Sequence, residues 1–200
     1  MKRPPILVTT AVLALGTLVA AAVAGPAAAA APLAGDAAPA SARGPLAVAV
    51  GHSHPQVLSV DGVGVYRIGA SLAALTANGH IDWTAPSCGT VVHAGATGSW
   101  AGVILLAFRD GRLVEVGTAT APPYSPAGAA VGMTFAELED IYGRRGSLIR
   151  NDAGDAEAYL VRVGSRVELF TGHPIRPGVG YFQVGPASFV ERNFRQGATC

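Results

Sequence analysis

The stretch VGMTFAELEDIYG, Val131–Gly143, reads as a capped helix, and IGASLAALTANG, Ile68–Gly79, carries the same plan earlier in the chain. In each, a β-branched residue precedes Gly. One spacer and a Ser or Thr follow, then a large apolar residue, Ala, one variable position and Leu. Ser71 and Thr134 are placed as N-caps, accepting from a backbone N–H of the first turn. Thr134 with Glu137 makes the S/T-x-x-E capping box, whereas Ser71 with Ala74 does not. Phe135, Leu138, Ile141 and Tyr142 recur at helical spacing, Leu72 and Leu75 begin the same inward face, and Gly79 and Gly143 stop the two helices.

Each helix is followed by strand signals. Trp100 to Arg109, the turn Asp110-Gly111 and Arg112 to Thr118 make a two-residue hairpin pattern. Ala156 to Val163, Gly164-Ser165 and Arg166 to Thr171 make a second, and Val179 to Val184 reads as a further strand. The expectation is an α+β fold of two tandem helix-plus-antiparallel-sheet units forming one compact module, at about 60–120 and 124–200. Duplication is the simplest account.

Hairpin register sorts the faces. A two-residue turn pairs Arg109 with Arg112, Phe108 with Leu113 and Ala107 with Val114. Val103, Leu105, Ala107, Val114 and Val116 then face a helix. Trp100, Ile104, Leu106 and Phe108 share the other face with Glu115. In the second hairpin Leu160, Val167 and Leu169 fall together, and Tyr159, Val161 and Phe170 share a face with Glu168 and Arg166. The aromatic faces, carrying Trp100, Phe108, Tyr159 and Phe170, are expected on the side away from the helices. There they form either the contact between units or a binding surface.

Around this module the chain has the layout of an exported protein. Lys2 and Arg3, an apolar run from Ile6 to about Ala24 and the tract GPAAAAAP make a secretory signal over 1–31, with a cut near Ala29 to Ala31. The competing reading is an uncleaved anchor, since the run approaches the ~20 residues that span a bilayer. Residues 32–56, rich in Ala, Pro and Gly, read as a flexible tether before a module at 57–200. Two cysteines in an exported chain pair, so Cys88 and Cys200 are expected to be bridged. Closing a loop on the order of a hundred residues contributes at most about 4–5 kcal/mol.

Charge and composition exclude several classes. The formal net charge of +1 includes Lys2 and Arg3, and no basic run occurs, which argues against a nucleic-acid partner. Lys2 is the only lysine, so a mature-chain Schiff base and a P-loop lysine are both ruled out. No G-x-S-x-G elbow and no phosphate-cradling glycine fingerprint is present. His52-Ser53-His54 in the tether supplies two metal ligands at best, short of the three or four that zinc needs. NDAGDAE, with Asp152, Asp155 and Glu157, departs from the calcium-loop spacing and reads as a polar connection. No catalytic set, metal site or cofactor is therefore expected.

The G-M-T helix start at Gly132-Met133-Thr134, with the G-A-S copy at Gly69-Ala70-Ser71, resembles that of a family of small secreted bacterial proteins of unassigned function. The helix-then-sheet unit used in tandem resembles that of β-lactamase inhibitory protein. As a single unit it is similar to small outer-membrane assembly lipoproteins. The resemblance implies protein binding or scaffolding without catalysis or cofactor. The chain departs from the inhibitor in having one expected bridge between units rather than one within each, so no inhibitor contact residue carries over. The reading is an exported, non-catalytic binding or structural protein with a protein or cell-envelope partner. The alternative is a secreted hydrolase or metal-dependent enzyme using His93 or His173.

Overall fold

The computed structural model describes residues 56–198. The expected signal, the His52-Ser53-His54 segment and all of the expected tether but Gln56 lie outside the described residues. Among the described residues three short α-helices accompany ten strands. In chain order they are β1 (Gly62–Val63), β2 (Tyr66–Arg67), α1 (Leu72–Ala77), β3 (Ile81–Pro86), β4 (Val91–Ala96), β5 (Leu105–Arg109) and β6 (Arg112–Thr118). Then come α2 (Phe135–Tyr142), β7 (Gly146–Arg150), β8 (Glu157–Val163), β9 (Arg166–Gly172), β10 (Val179–Pro186) and α3 (Val190–Gln196).

Local chemistry sets the helix ends. Ser71 Oγ accepts from Ala74 N at the start of α1. At α2, Thr134 Oγ1 accepts from Glu137 N at 3.2 Å while Glu137 Oε2 accepts from Thr134 N at 2.7 Å, a complete capping box. The β5–β6 hairpin turns on Asp110 and Gly111, both at positive φ, as a type I′ turn requires.

The expectation of two tandem helix-plus-sheet units does not hold. β3 to β10 form one continuous eight-stranded antiparallel sheet in the order β3-β4-β5-β6-β10-β9-β8-β7, and this sheet dominates the molecule. β10 joins its two parts, pairing Val184 with Val116 on one side and Phe182 with Phe170 on the other. A strand edge left open presents unpaired N–H and C=O groups, and the β6–β10 pairing removes two such edges at once.

The face assignment also needs correction. Two-residue pairing holds at Arg109 with Arg112 and Phe108 with Leu113, but an irregularity then shifts the register, so that Ala107 stands opposite Glu115 and Leu106 opposite Val116. The extra residue is Val114, as in a bulge. Leu106, Phe108, Leu113 and Val116 therefore share the face that packs with α1 and α2, and Glu115 moves to the other face with Ala107. Phe108, Phe170, Phe182, Tyr159, Leu75, Leu138 and Tyr142 belong to one hydrophobic cluster on the helix side.

The opposite face has its own cover, which the sequence pattern did not suggest. Phe189 and Val190 of the α3 segment are buried with Ala107, Ala158, Leu160, Val167 and Leu169. Glu191 pairs with Arg162 at 2.6 Å and Arg195 at 3.2 Å, and the Arg109 guanidinium lies 4.7 Å over the Phe189 ring. Cys88 occupies the β3–β4 turn; its expected partner Cys200 lies outside the described residues. Among the described residues no helix is long and apolar enough to cross a membrane.

Candidate functional site

The four aromatics expected on an open surface are placed in or against the core. Phe108 and Phe170 have no exposed surface and Tyr159 is buried, while Trp100 is half-buried in a short 3₁₀ turn. The Phe170 and Phe182 rings stack at 4.3 Å and 6° across β9 and β10. The physical reason is volume. Phe108, Tyr159, Phe170 and Phe182 fill the space under α1 and α2, and the other face, small at Ala107 and Ala158, carries α3.

The open surface lies on that smaller face, where short α3 covers only part of the sheet. Two rows of side chains cross it. In the first row, register places His93 opposite Ala107 and Ala107 opposite Glu115. In the second, Gly95 stands opposite Leu105 and Leu105 opposite Gly117. The glycines of the second row are each roofed by an aromatic ring. A Cβ at Gly95 would lie 2.2 Å from Trp83 Nε1, and one at Gly117 would lie 2.1 Å from Tyr181 Oη. Only the missing side chains let the rings lie flat. Trp83 and Leu105 are 43% and 45% exposed, so the row presents an apolar shelf to solvent.

Beside the shelf is a cleft of about 310 Å³ between the sheet and α3, lined by His93, Glu115, Thr171, Gln183, Asn193 and Phe194 among others. The Tyr181 hydroxyl donates to Glu115 Oε1 at 3.5 Å. With its amide assigned from its hydrogen bonds, Gln183 donates to both Glu115 oxygens at 3.1 and 3.2 Å. Burial pushes the Glu115 carboxyl up to about 7, against the smaller downward pull of the Tyr181 hydroxyl. Burial, and then the Glu115 charge, raises Tyr181 in turn. The cleft thus offers an acid poised near neutrality, amides and an imidazole. That is a hydrogen-bonding set suited to orienting a polar group.

The enzymatic alternative offers His93 or His173, and the two lie in different clefts, each with a carboxylate, Glu115 or Glu157, among the lining residues. His93 lines this cleft, whereas His173 lines another with Arg150, Glu157 and Arg176. The NDAGDAE segment closes on itself as a polar loop: Asn151 Nδ2 donates to Asp155 Oδ1 at 2.7 Å, and Asn151 Oδ1 accepts from Asp155 N and Ala156 N. Glu115 was missed because the Val114 irregularity moves it to the other face, Leu105 because its face was expected against a helix, Trp83 because exposed β3 shows no alternating pattern, and Tyr181 and Gln183 because the place of β10 beside β6 rests on a long-range pairing. The available signals were Gly95 and Gly117 inside strand patterns, which mark close approach of another group.

No protein-family model matches the chain, and no curated protein matches it in sequence. Among solved structures it is similar to an extracellular protein containing a SCP domain from Bacillus anthracis str. Ames, at 13% identity and a TM-score of 0.41 over 65% of this chain and 46% of that one. It is also similar to a cysteine-rich secretory protein from Staphylococcus aureus subsp. aureus Mu50, at 12% identity and a TM-score of 0.38 over 62% of this chain and 46% of that one. The chain spans about half the length of these two solved chains.

Proposed function

We propose that this is an exported, non-catalytic binding protein, holding a protein or cell-envelope partner on the half of the sheet that α3 leaves open. The observation that carries the reading is the exposed Trp83–Leu105 row beside the Glu115 cleft. Flat aromatic and aliphatic anchors next to fixed hydrogen-bonding groups are where interfaces gather their energy. The basic start, apolar run and small-residue tract over 1–31 support export with removal of the signal. Export in turn supports a Cys88–Cys200 bridge. The likeness of the Gly132-Met133-Thr134 helix start to that of small secreted bacterial proteins of unassigned function supports export in the same way. The hydrolase or metal-enzyme reading has less support, because His93 and His173 line separate clefts.

The test is capture from envelope extract by the mature exported protein, whose non-reducing peptide map should contain Cys88 linked to Cys200. Trp83→Ala and Leu105→Ala should each weaken capture by about 1–3 kcal/mol while leaving circular dichroism unchanged. Phe170→Ala is unsuitable because it alters the core. Equal capture by both surface variants would sink the proposed face.

A further inference from the structure

On the opposite side of the sheet, away from the proposed partner surface, a cavity of about 560 Å³ opens beside the C-terminal end of α2. Its walls are apolar, with Val60, Ile141, Val161 and Val163 among the lining residues. Its polar floor is a buried network. The Tyr142 hydroxyl lies 2.5 Å from Glu168 Oε2 and 2.6 Å from Ser125 Oγ. A phenol has one proton, so one of these contacts uses the phenol oxygen as acceptor. Ser125 Oγ also accepts from Ala127 N and Ala129 N, which fixes the loop before α2 onto this floor.

Glu168 is only 4% exposed, yet Tyr142 engages just its Oε2. Among the described residues no buried side-chain oxygen lacks a partner. Glu168 Oε1, which makes no hydrogen bond among these residues, therefore reaches the cavity that Glu168 lines. At the other end of the Tyr142 side chain is a cation. The Arg145 guanidinium lies 5.5 Å over the Tyr142 ring, held by Nη2 donating to Ile141 O at 3.2 Å and Nε to Tyr142 O at 3.4 Å. Nη1 makes no hydrogen bond among the described residues, and Arg145 also lines the cavity.

We propose that this cavity is a binding site for a free apolar α-amino acid of about leucine's size. Glu168 Oε1 receives the ammonium group, Arg145 Nη1 pairs with the carboxylate, and the valine and isoleucine walls take the side chain. The volume lies within the range of small-molecule sites, roughly 300–1,000 Å³. The two charges are carried by groups already held in place, so little side-chain ordering remains to oppose binding. Burial raises the Glu168 carboxyl, while the Tyr142 hydrogen bond and the Arg145 charge pull it back in part. An incoming ammonium acts in the same direction as Arg145 and favours the ionised form.

The experiment is isothermal titration of the mature protein with L-leucine, with leucinamide, which lacks the carboxylate, and with 4-methylpentanoate, which lacks the amine. Leucine should bind saturably, and each analogue should bind about tenfold more weakly or less, since each gives up one charged pair. Arg145→Ala, at an exposed side chain, should weaken leucine about tenfold and leave leucinamide unchanged. Trp83→Ala should leave leucine binding intact whether or not the partner surface is real, which separates the two proposals. Absence of saturable leucine binding up to about 10 mM overturns this site. So does equal affinity for leucine and both analogues.

Discussion

Glu115, lining the cleft between the sheet and α3, gives the stability of the fold a pH dependence. Its ordinary value of 4.5 rises to about 7 in the cleft, chiefly through burial. Between these values the folded chain keeps a proton that the unfolded chain releases. The folded state therefore binds more protons, and stability falls as pH rises. The contribution is fully present below about pH 4.5 and lost as pH rises through about 7. Glu115→Gln keeps the amide-sized side chain and cannot titrate. The urea midpoint of the native protein should fall from pH 5 to pH 8 by more than that of the variant. An equal fall in both proteins would place the titration elsewhere. Glu168, raised in the same direction, continues to contribute in both. The sequence pattern placed Glu115 beside Phe108 because strict alternation from a two-residue turn puts it there. One extra residue at Val114 reverses it, and alternation cannot register such an irregularity.

Among the elements, α2 was the most legible because its ends carry chemistry as well as periodicity. Thr134 and Glu137 satisfy each other's first-turn groups, and Gly143 at positive φ ends the helix. The Glu137 carboxyl is held below its ordinary range by its backbone and side-chain bonds to Thr134. Through loss of the N-cap oxygen alone, Thr134→Ala should cost about 1 kcal/mol by chemical denaturation, with Ser71→Ala costing less because Ala74 returns no bond. A Thr134→Ala variant as stable as the parent would show that packing alone fixes this helix start. The two hairpins were legible through Asp110-Gly111 and Gly164. α3 was not. Its N-cap, Phe189, makes no side-chain capping bond, and its sequence VERNFRQ is held by burial of Phe189 and Val190 rather than by local signals. β3 was hidden for a similar reason: most of its residues are exposed and it ends in Pro86, so it shows no alternating pattern. Trp100 to Arg109 read as one strand, but its first part is a 3₁₀ turn and β5 begins only at Leu105.

At the scale of the whole molecule, sequence reading found hairpins and could not join them, since strand order depends on contacts between distant segments. The joining contact is β10, whose Phe182 stands opposite both Thr118 of β6 and Phe170 of β9. The hydrophobic cluster around it includes Leu106 and Phe108 from the first part of the sheet and Tyr159 and Phe170 from the second. A core shared in this way makes unfolding one cooperative event. Phe170→Ala removes a fully buried ring from its stack on Phe182, a change that costs about 3–5 kcal/mol. Both tryptophans, Trp83 and Trp100, lie in the other part of the chain, before β5. Their fluorescence midpoint in urea should nevertheless shift by the same free energy as the far-ultraviolet circular dichroism of the whole sheet. A tryptophan transition left at its wild-type midpoint, while circular dichroism shows earlier loss of β structure, would mean that β3–β6 hold together without β7–β10. The β6–β10 pairing would then be a contact between separately folding parts rather than the middle of one sheet.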